Sequence, residues 1–317
     1  MENILPLMAA LEVHKSHYKS YGDYSATSLI DTPRIVQLKK RYGHLVEVDP
    51  ERMMASFIGT GVHNYFEDTL RQYAALNKEY ELERSVFDKI DGRLVTGRFD
   101  ILYDHKHIYD IKTAKVWKKI FDPEMVDWHA QQNIYAWLLR RRGLDIESIN
   151  IVACYLDWQK NNALRDRNYP QQRVVQYRLN LWSPEHQEEF IRERLAMHVA
   201  AETLADEDLP ACSPEERWER FPSGLPTQYA LLKDRQAKRA TRVFDTLDEL
   251  RQFILEPDLS KRAFAVTDAA TVEIRHARRT RCLDWCEGAP WCNHHREYIK
   301  NMEEGNLNDY VSLREVL

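Results

Sequence analysis

The sequence lacks a long hydrophobic run: no apolar stretch approaches the roughly 18 residues that a membrane-spanning helix needs. The opening residues, Met-Glu-Asn-Ile-Leu-Pro, have neither the basic start nor the long apolar stretch of a secretion signal. Internal repeats and low-complexity segments are also missing from the sequence. From these absences we expect a cytoplasmic protein with no membrane partner.

A surplus of positive charge is missing as well. Lys and Arg together number 45 against 50 Asp and Glu, which gives a formal net charge of −5 at pH 7. Bulk electrostatics alone therefore do not predict binding to nucleic acid. Basic residues are nevertheless grouped at 140–142, 233–242 and 275–281. Each group is either solvated surface or a local track that contacts phosphates.

The patterning of apolar residues predicts an α/β protein. A chain of 317 residues can bury a substantial core. Apolar alternation and short apolar runs predict strands at 80–90, 93–103, 107–114, 149–158 and 173–182. Helical patterns fall at 51–77, 116–142 (interrupted at Asp122-Pro123) and 184–204.

An acidic stretch followed by Pro210 marks a boundary after the last of these helices. Beyond this boundary the residue pattern changes, and it predicts short strands at 228–232, 240–244 and 266–275 and one helix at 246–255. We therefore predict a core over 1–204, a small α/β insertion over 205–275, and a C-terminal cysteine cluster with a helix over 276–317.

Two predicted strands joined by a polar turn at 104–107 carry the first candidate functional residues. Because side chains alternate along a strand, Asp110 and Lys112 point to the same face. Asp100 joins that face only if the loop has an odd number of residues or a bulge intervenes; one three-residue loop would place it opposite Lys112. The alternative interpretation is that the Asp-x-Lys sequence forms a solvated polar face of the strand. On one face, the two carboxylates could hold a divalent metal and the amine could stabilise a developing anion.

Two predicted helices supply further polar residues. His63 and Glu67 are four residues apart and share a helix face, where a neutral imidazole could bind a divalent cation. The alternative is that His63 is a histidine of the core. Gln131 and Tyr135 share one face of the later helix, whereas apolar neighbours such as Ile134 face the core.

The order of these elements resembles the RecB-type branch of the PD-(D/E)XK nucleases. The shared patterns are Gly-x-x-x-His-x-x-x-Glu, Gly-x-x-Asp, Asp-x-Lys-Thr and Gln-x-x-x-Tyr, and they cover residues 22–160. The resemblance implies a restriction-endonuclease-like core, in which a mixed central sheet is flanked by helices. It also implies hydrolysis of DNA phosphodiester bonds, with single strands or duplex ends as substrate.

The resemblance implies a role for each matched residue. The implied ligands of Mg²⁺ or Mn²⁺ are His63, Asp100, Asp110, Ile111 through its backbone carbonyl, and Glu67 as a further candidate. The implied catalytic residues are Asp100, Asp110, Lys112, Gln131 and Tyr135. Among these, Lys112 would be the catalytic lysine, and the Gln/Tyr pair would support the site or guide DNA.

Three cysteines close together predict a second metal centre. Cys282, Cys286 and Cys292 lie within eleven residues, which in a cytosolic protein favours a metal centre over disulfides. The fourth ligand would be Cys212, just before the insertion, or a histidine at 294–295. With Cys212, the centre would join the two ends of the insertion; ligation can exceed the roughly 4 kcal/mol of entropy that closing this loop costs. Cys154, in an apolar strand, is most simply a small buried hydrophobe.

One distant cysteine followed by a close triplet is similar to the iron–sulfur cysteines of some RecB-like nucleases. The spacing of the triplet and the position of Cys212 depart from that pattern. A 4Fe-4S cluster and Zn²⁺ therefore both stay open, as do thiols without a metal.

The function that we expect is an Mg- or Mn-dependent exonuclease of DNA recombination, repair or phage DNA processing. A recombination or single-strand-binding protein is its expected partner. The alternatives are an endonuclease of the same fold, a catalytically silent nucleic-acid-binding scaffold, and a zinc module that docks other proteins.

Overall fold

The computed structural model describes residues 5–17, 21–47, 49–74, 79–219, 227–255, 269–276, 278–303 and 308–316. The chain divides into two compact units, Met1–Val36 with Leu45–Thr203, and Gln37–His44 with Leu204–Leu317. The division of the sequence into 1–204, 205–275 and 276–317 stays a prediction. Within the described residues, every helix is too short or too polar to cross a bilayer.

The first unit is built on one mixed sheet. Its strands are β1 (Tyr24–Ser25), β2 (Tyr80–Ile90), β3 (Arg93–Tyr103), β4 (His107–Ala114), β5 (Ser148–Tyr155) and β6 (Val174–Leu179). Their order is β1-β3-β4-β5-β6, and β2 pairs with β3 from Tyr80 to Ile90, with a gap at Glu83. The β3–β4 and β5–β6 pairs are antiparallel, whereas β4 and β5 are parallel. The predicted mixed sheet is therefore confirmed.

Helices flank this sheet. They are α1 (Leu5–His17), α2 (Ala26–Ile30), α3 (Pro33–Tyr42, which contributes to both units), α4 (Pro50–Ala74), α5 (Val116–Phe121), α6 (Val126–Arg140), α7 (Lys160–Arg165) and α8 (Pro184–Glu202). The start of α8 follows from its sequence: Ser183 accepts a hydrogen bond from the amide of His186, and Pro184 occupies the first turn. Helix α7 lies between the predicted strands 149–158 and 173–182, where no helix was predicted.

Helix α6 packs most closely against the sheet. Nearly all of its residues from Trp128 to Leu139 are buried, and they join Phe99 and Val95 of β3 in the main core. The close approach depends on Gly97, because a Cβ there would lie 2.7 Å from the Tyr135 ring. This packing places the polar face of α6 against the end of β4.

The turn between β3 and β4 confirms the odd loop but corrects its register. The ladder pairs Tyr103 with His107, so the loop consists of residues 104–106. Asp104 and His105 both adopt positive φ, and the amide of Lys106 donates to the carbonyl of Tyr103. The loop therefore lies one residue earlier than the loop at 105–107 that would set Asp100 opposite Lys112. Continued along the strands, this register sets Asp100 opposite Asp110 and not opposite Lys112.

The second unit contains a four-stranded antiparallel sheet. Its elements are β7 (Thr227–Leu232), β8 (Arg242–Phe244), α9 (Leu247–Leu255), β9 (Thr271–His276), α10 (Thr280–Asp284), α11 (Asn293–Glu303), β10 (Asn308–Ser312) and α12 (Leu313–Val316). The strand order is β10-β9-β7-β8, and apolar residues of α9 and α12 complete its core. Strand β10 was not predicted, because few of its residues are apolar. Residues 266–268 of a predicted strand, and 75–77 of a predicted helix, lie outside the described residues.

Candidate active site

Three elements bring together an imidazole and two carboxylates. His63 on α4, Glu83 on β2 and Asp100 on β3 each offer one ligand atom, and these atoms lie within 4.8 Å of one another. The Nδ1 atom of His63 is 3.4 Å from Oδ2 of Asp100. All three side chains are partly buried. One nitrogen and two carboxylate oxygens form a donor set that suits Mg²⁺ or Mn²⁺.

The backbone of Ile111 lies beside this group. Its amide donates a hydrogen bond to Oδ2 of Asp100 at 2.7 Å. A small cavity opens at the same place, and its lining residues are His63, Glu67, Leu70, Leu82, Glu83, Asp100, Ile101 and Ile111. The site therefore has a polar wall of four potential ligands, Glu67 included, and a wall of apolar side chains.

Glu83 is the residue that the sequence analysis missed. It has a φ of 48° in the middle of β2, between Leu82 and Arg84, which pair with β3 on either side of Asp100. A non-glycine residue in this left-handed region is strained, and such strain is concentrated at functional sites. The sequence signal that could have revealed Glu83 is the Asp91-Gly92 turn. This two-residue loop pairs Ile90 with Arg93, and the same register, continued along both strands, sets Glu83 opposite Asp100.

A second set of contacts runs from β4 to α6. Lys112 Nζ lies 2.7 Å from Oδ2 of Asp110, whose side chain is almost completely buried. The same amine donates to Oε1 of Gln131 at 2.9 Å, and Nε2 of Gln131 donates to the hydroxyl of Tyr135 at 2.9 Å. The structure thus brings four of the predicted residues into one hydrogen-bonded chain that fixes the position of the Lys112 amine.

The acidic groups carry more negative charge than the nearby lysine can balance. Burial and the negative charge of Asp110 raise the pKa of Asp100 to about 8. Burial also raises the pKa of Glu83 and lowers that of His63. Burial opposes the charge on Lys112, but Asp110 and Asp100 raise its pKa above the usual value. A cation bound among these carboxylates would relieve the repulsion, so the residues present fit a divalent metal ion.

Glu67 lines the cavity but is engaged by arginines. Arg71, one turn along α4, donates to its carboxylate through Nε at 3.0 Å. Arg98 on β3 lies 3.8 Å from Glu67 and 2.6 Å from Glu83. Arg98 is therefore paired more closely with Glu83 than with Glu67, and the role of Glu67 as a metal ligand stays a prediction.

The four cysteines predicted to bind a cluster lie in the second unit, close enough for their thiols to influence one another electrostatically. Burial raises the pKa of Cys282, and the neighbouring thiols of Cys212 and Cys292 raise it further. Burial raises the pKa of Cys286 to about 11, and Cys282 and Cys212 add to the shift. No three of these sulfur atoms, all of which the structure describes, lie within 4.8 Å of one another.

Backbone contacts tie the distant cysteine to the triplet. The guanidinium of Arg217 donates to the carbonyl of Cys212 at 2.9 Å, and the amide of Arg281 donates to the carbonyl of Arg217 at 3.0 Å. These two bonds connect the segment of Cys212 to α10, which carries Cys282. A metal centre at the cysteines stays a prediction.

No family model and no curated protein matches the chain. Among solved structures, the crystal structure of SSO0001 is similar over 62% of this chain and 87% of its own, with 20% identity and a TM-score of 0.43. An alkaline exonuclease, LHK-Exo, from Laribacter hongkongensis is similar over 62% of this chain and 92% of its own. Its identity is 12% and its TM-score is 0.35. The function is therefore argued from the residues of the site.

Proposed function

We propose that the chain is a metal-dependent deoxyribonuclease that hydrolyses phosphodiester bonds. The observation that carries the proposal is the convergence of His63, Glu83 and Asp100 beside the Asp110–Lys112 ion pair. An imidazole with buried carboxylates next to a charged amine is a donor set for a divalent cation and a phosphate. The resemblance of the sequence motifs to RecB-type nucleases supports the same chemistry.

The ligands of Mg²⁺ or Mn²⁺ would be His63, Glu83 and Asp100, with Asp110 and the carbonyl of Ile111 as the other candidates. When bound, the cation neutralises phosphate oxygens and lowers the pKa of water, which makes water a nucleophile at neutral pH. Asp100 must lose its proton for ligation, and its raised pKa means that binding releases this proton near neutral pH.

Lys112 would stabilise the negative charge that develops on the phosphate as the P–O bond breaks. Its amine carries a positive charge because Asp110 and Asp100 raise its pKa. Gln131 accepts a hydrogen bond from the amine, and Tyr135 in turn orients the Gln131 amide. In this arrangement Gln131 and Tyr135 are positioning residues for Lys112.

The test is cleavage of end-labelled linear and circular DNA, both single- and double-stranded, with Mg²⁺, with Mn²⁺ and with EDTA. We expect cleavage with either cation and none in EDTA. Release of mononucleotides or short fragments from linear DNA, with circles intact, would identify the expected exonuclease. Cutting of circles would identify an endonuclease. Absence of product on every substrate would contradict the proposal and favour the nucleic-acid-binding scaffold.

We also propose that Cys212, Cys282, Cys286 and Cys292 bind one metal centre, either a 4Fe-4S cluster or Zn²⁺. The mutual electrostatic influence of the thiols supports it, because each raised thiol pKa reflects neighbouring sulfur atoms as well as burial. Ligation would convert these thiols to thiolates, and the positive charge of the metal would offset the repulsion between the thiolates. Roles in recombination, repair or phage DNA processing, and a recombination or single-strand-binding protein as partner, remain part of the proposal.

A further inference from the structure

Helix α5 presents a pair of aromatic side chains to solvent. The rings of Trp117 and Phe121 are stacked, with centroids 5.2 Å apart and planes inclined by 12°. Their exposed fractions are 57% and 66%, and Ile120 between them is also exposed. Burial of apolar surface stabilises a fold, so an aromatic pair that stays in water together with a neighbouring aliphatic side chain is a candidate binding surface.

The stacked pair sits close to the candidate active site. Helix α5 begins two residues after the end of β4, the strand that carries Lys112. Lys118, on the same helix, forms an ion pair with Asp127 at 2.6 Å. The aromatic pair therefore follows the strand of Lys112 directly along the chain, and a strand of nucleic acid that leaves the site past α5 would meet it.

A basic segment lies next to α5. The amide of Val116 donates to Asp157 at 2.8 Å, and the amide of Leu156 donates to the carbonyl of Ala114 at 3.0 Å. These bonds hold the start of α5 against the chain that continues into the segment 159–173. The cations of this region are Lys115, Lys160, Arg165, Arg167 and Arg173, all exposed.

Most charges of this segment are available to an anion, whereas the guanidinium of Arg173 also lies over the Trp158 ring, 5.8 Å from its centroid. Asp166 is the single acidic residue between Gln159 and Arg173, and its carboxylate accepts a hydrogen bond from the amide of Asn168. The ion pairs found among the described residues include none of the five cations named above. An exposed aromatic pair flanked by such cations matches the two requirements for binding unpaired nucleotides: rings for the bases and charges for the phosphates.

We propose that Trp117 and Phe121 form a stacking site for unpaired bases of single-stranded DNA, with phosphates held by Lys115 and the basic segment 159–173. The proposal rests on the proposed nuclease function for the identity of the ligand, and it names single-stranded DNA as the form that is bound next to the site. A base pair inside a duplex shows only its edges and has no free face for these rings. The stacking site therefore selects unpaired DNA over duplex.

The test is equilibrium binding in EDTA, where no cleavage is expected. The ligands are a fluorescein-labelled oligothymidylate of about 16 nucleotides, within the usual range of site sizes, and a blunt duplex of the same length. We expect wild type to prefer the single strand. Trp117→Ala and Phe121→Ala should each weaken its binding about tenfold, the usual effect of removing one stacked ring, and should change duplex binding little.

Two variants control this experiment. Phe87→Ala removes an exposed ring of similar exposure (56%) from β2 and should leave both affinities unchanged. Trp117→Phe keeps an aromatic face and should retain most of the affinity that Trp117→Ala loses. Equal binding by wild type and the Trp117→Ala/Phe121→Ala double variant would overturn the proposal. So would an equal loss on single strand and duplex.

A change of oligomeric state in the double variant, measured by sedimentation, would instead assign the aromatic surface to contacts between copies of the chain and would also overturn the proposal. Binding in EDTA requires no turnover, so failure of the stacking site and failure of the nuclease function are distinguished. If wild type cleaves DNA and the double variant binds the single strand as tightly as wild type, only the proposed stacking site is contradicted. Selective binding without cleavage on any substrate defeats only the nuclease.

Discussion

At the scale of single residues, the site separates groups that would hold a cation from the group that would act on the phosphate. His63, Glu83 and Asp100 converge on one point, whereas the Lys112 amine is directed to Asp110 and Gln131. Substitutions in the two sets should therefore fail for different reasons, although both remove activity.

Asp100→Ala and Glu83→Ala should weaken Mn²⁺ binding at least tenfold, because each removes a carboxylate ligand. Lys112→Ala should leave Mn²⁺ affinity and DNA binding near wild type but lower the cleavage rate about 10²- to 10³-fold, the usual cost of losing one transition-state donor. Isothermal titration calorimetry with Mn²⁺, together with the cleavage assay, separates the two classes. Equal Mn²⁺ affinity in wild type and Asp100→Ala would show that the cation binds elsewhere.

The buried carboxylate also predicts how stability depends on pH when no metal is present. The folded-state pKa of Asp100 is about 8, against 3.8 as its ordinary value, so the folded protein holds a proton that the unfolded chain releases. The stabilising contribution of Asp100 is fully present below the pKa of the unfolded chain. It is lost as the pH rises through the higher pKa of the folded state. Glu83 is shifted in the same direction.

In EDTA, the Tm should therefore fall as pH rises from about 5 to about 9. Asp100→Asn should flatten this dependence, because an amide has no proton to lose. Addition of Mn²⁺ to wild type should raise the Tm most at the alkaline end, where the empty site is fully charged. An unchanged slope in Asp100→Asn would assign the pH dependence to other groups.

At the scale of elements, the position of Lys112 depends on how closely α6 approaches β3. Gly97 makes this possible, since a Cβ there would lie 2.7 and 2.8 Å from two atoms of the Tyr135 ring and 3.0 Å from Leu138. Tyr135 is bonded to Gln131, and Gln131 to Lys112. A change at the buried contact is therefore transmitted along the chain of hydrogen bonds.

Gly97→Ala should destabilise the protein by about 1–3 kcal/mol, the usual cost of overpacking, and should lower the cleavage rate by displacing Tyr135. Gly61→Ala is the matched control: a Cβ at Gly61 meets nothing within 4 Å, and alanine stabilises a helix interior by about 1 kcal/mol. Urea denaturation measures both. A Gly97→Ala variant as stable as wild type would show that the Tyr135 ring moves without cost.

The sequence predicted those elements whose periodicity is strong. The strands of the β3–β4 hairpin, the helix of His63 and the buried face of α6 all follow from residue patterns, and the structure confirms them. The prediction of which residues lie opposite each other failed where it depends on the register of one strand pair. Positive φ at Asp104 and His105 places the loop at 104–106, and the alternation of side chains is the same for this loop and for a loop at 105–107.

Glu83 shows the same limit at the site. Its neighbours in sequence form no recognisable motif, and only the turn at Asp91-Gly92, counted back along two strands, aligns it with Asp100. Its strained backbone is a property of the packed sheet and cannot be read from residue types. Likewise, α7 is too short for periodicity to reveal.

At the scale of the whole molecule, the candidate chemistry is divided between the two units. The carboxylates, His63 and Lys112 belong to the first, and the four cysteines belong to the second, each with its own hydrophobic core. Loss of one centre should therefore leave the ligands of the other in place. This separation makes the cysteines testable without disturbing the residues proposed for catalysis.

Changing any one of Cys212, Cys282, Cys286 and Cys292 to Ser should release the metal and lower the Tm of the protein well beyond the effect of a surface substitution. Cys154→Ser, in β5, is the matched control and should leave metal content unchanged. Metal analysis of anaerobically purified protein separates the two candidate centres: a 4Fe-4S cluster gives a brown protein whose visible absorbance fades on oxidation, and zinc gives a colourless protein with one metal per chain.

Metal affinity of the cysteines should also rise with pH, because the pKa of Cys286 is raised to about 11 and ligation requires the thiolate. In the Cys286→Ser variant, calorimetry with Mn²⁺ should still give wild-type affinity, since the carboxylates lie in the other unit. Retention of the metal by Cys212→Ser alone would move the fourth ligand to His294 or His295. Freshly isolated protein with neither iron nor zinc would contradict the second centre altogether and leave four thiols whose proximity serves packing.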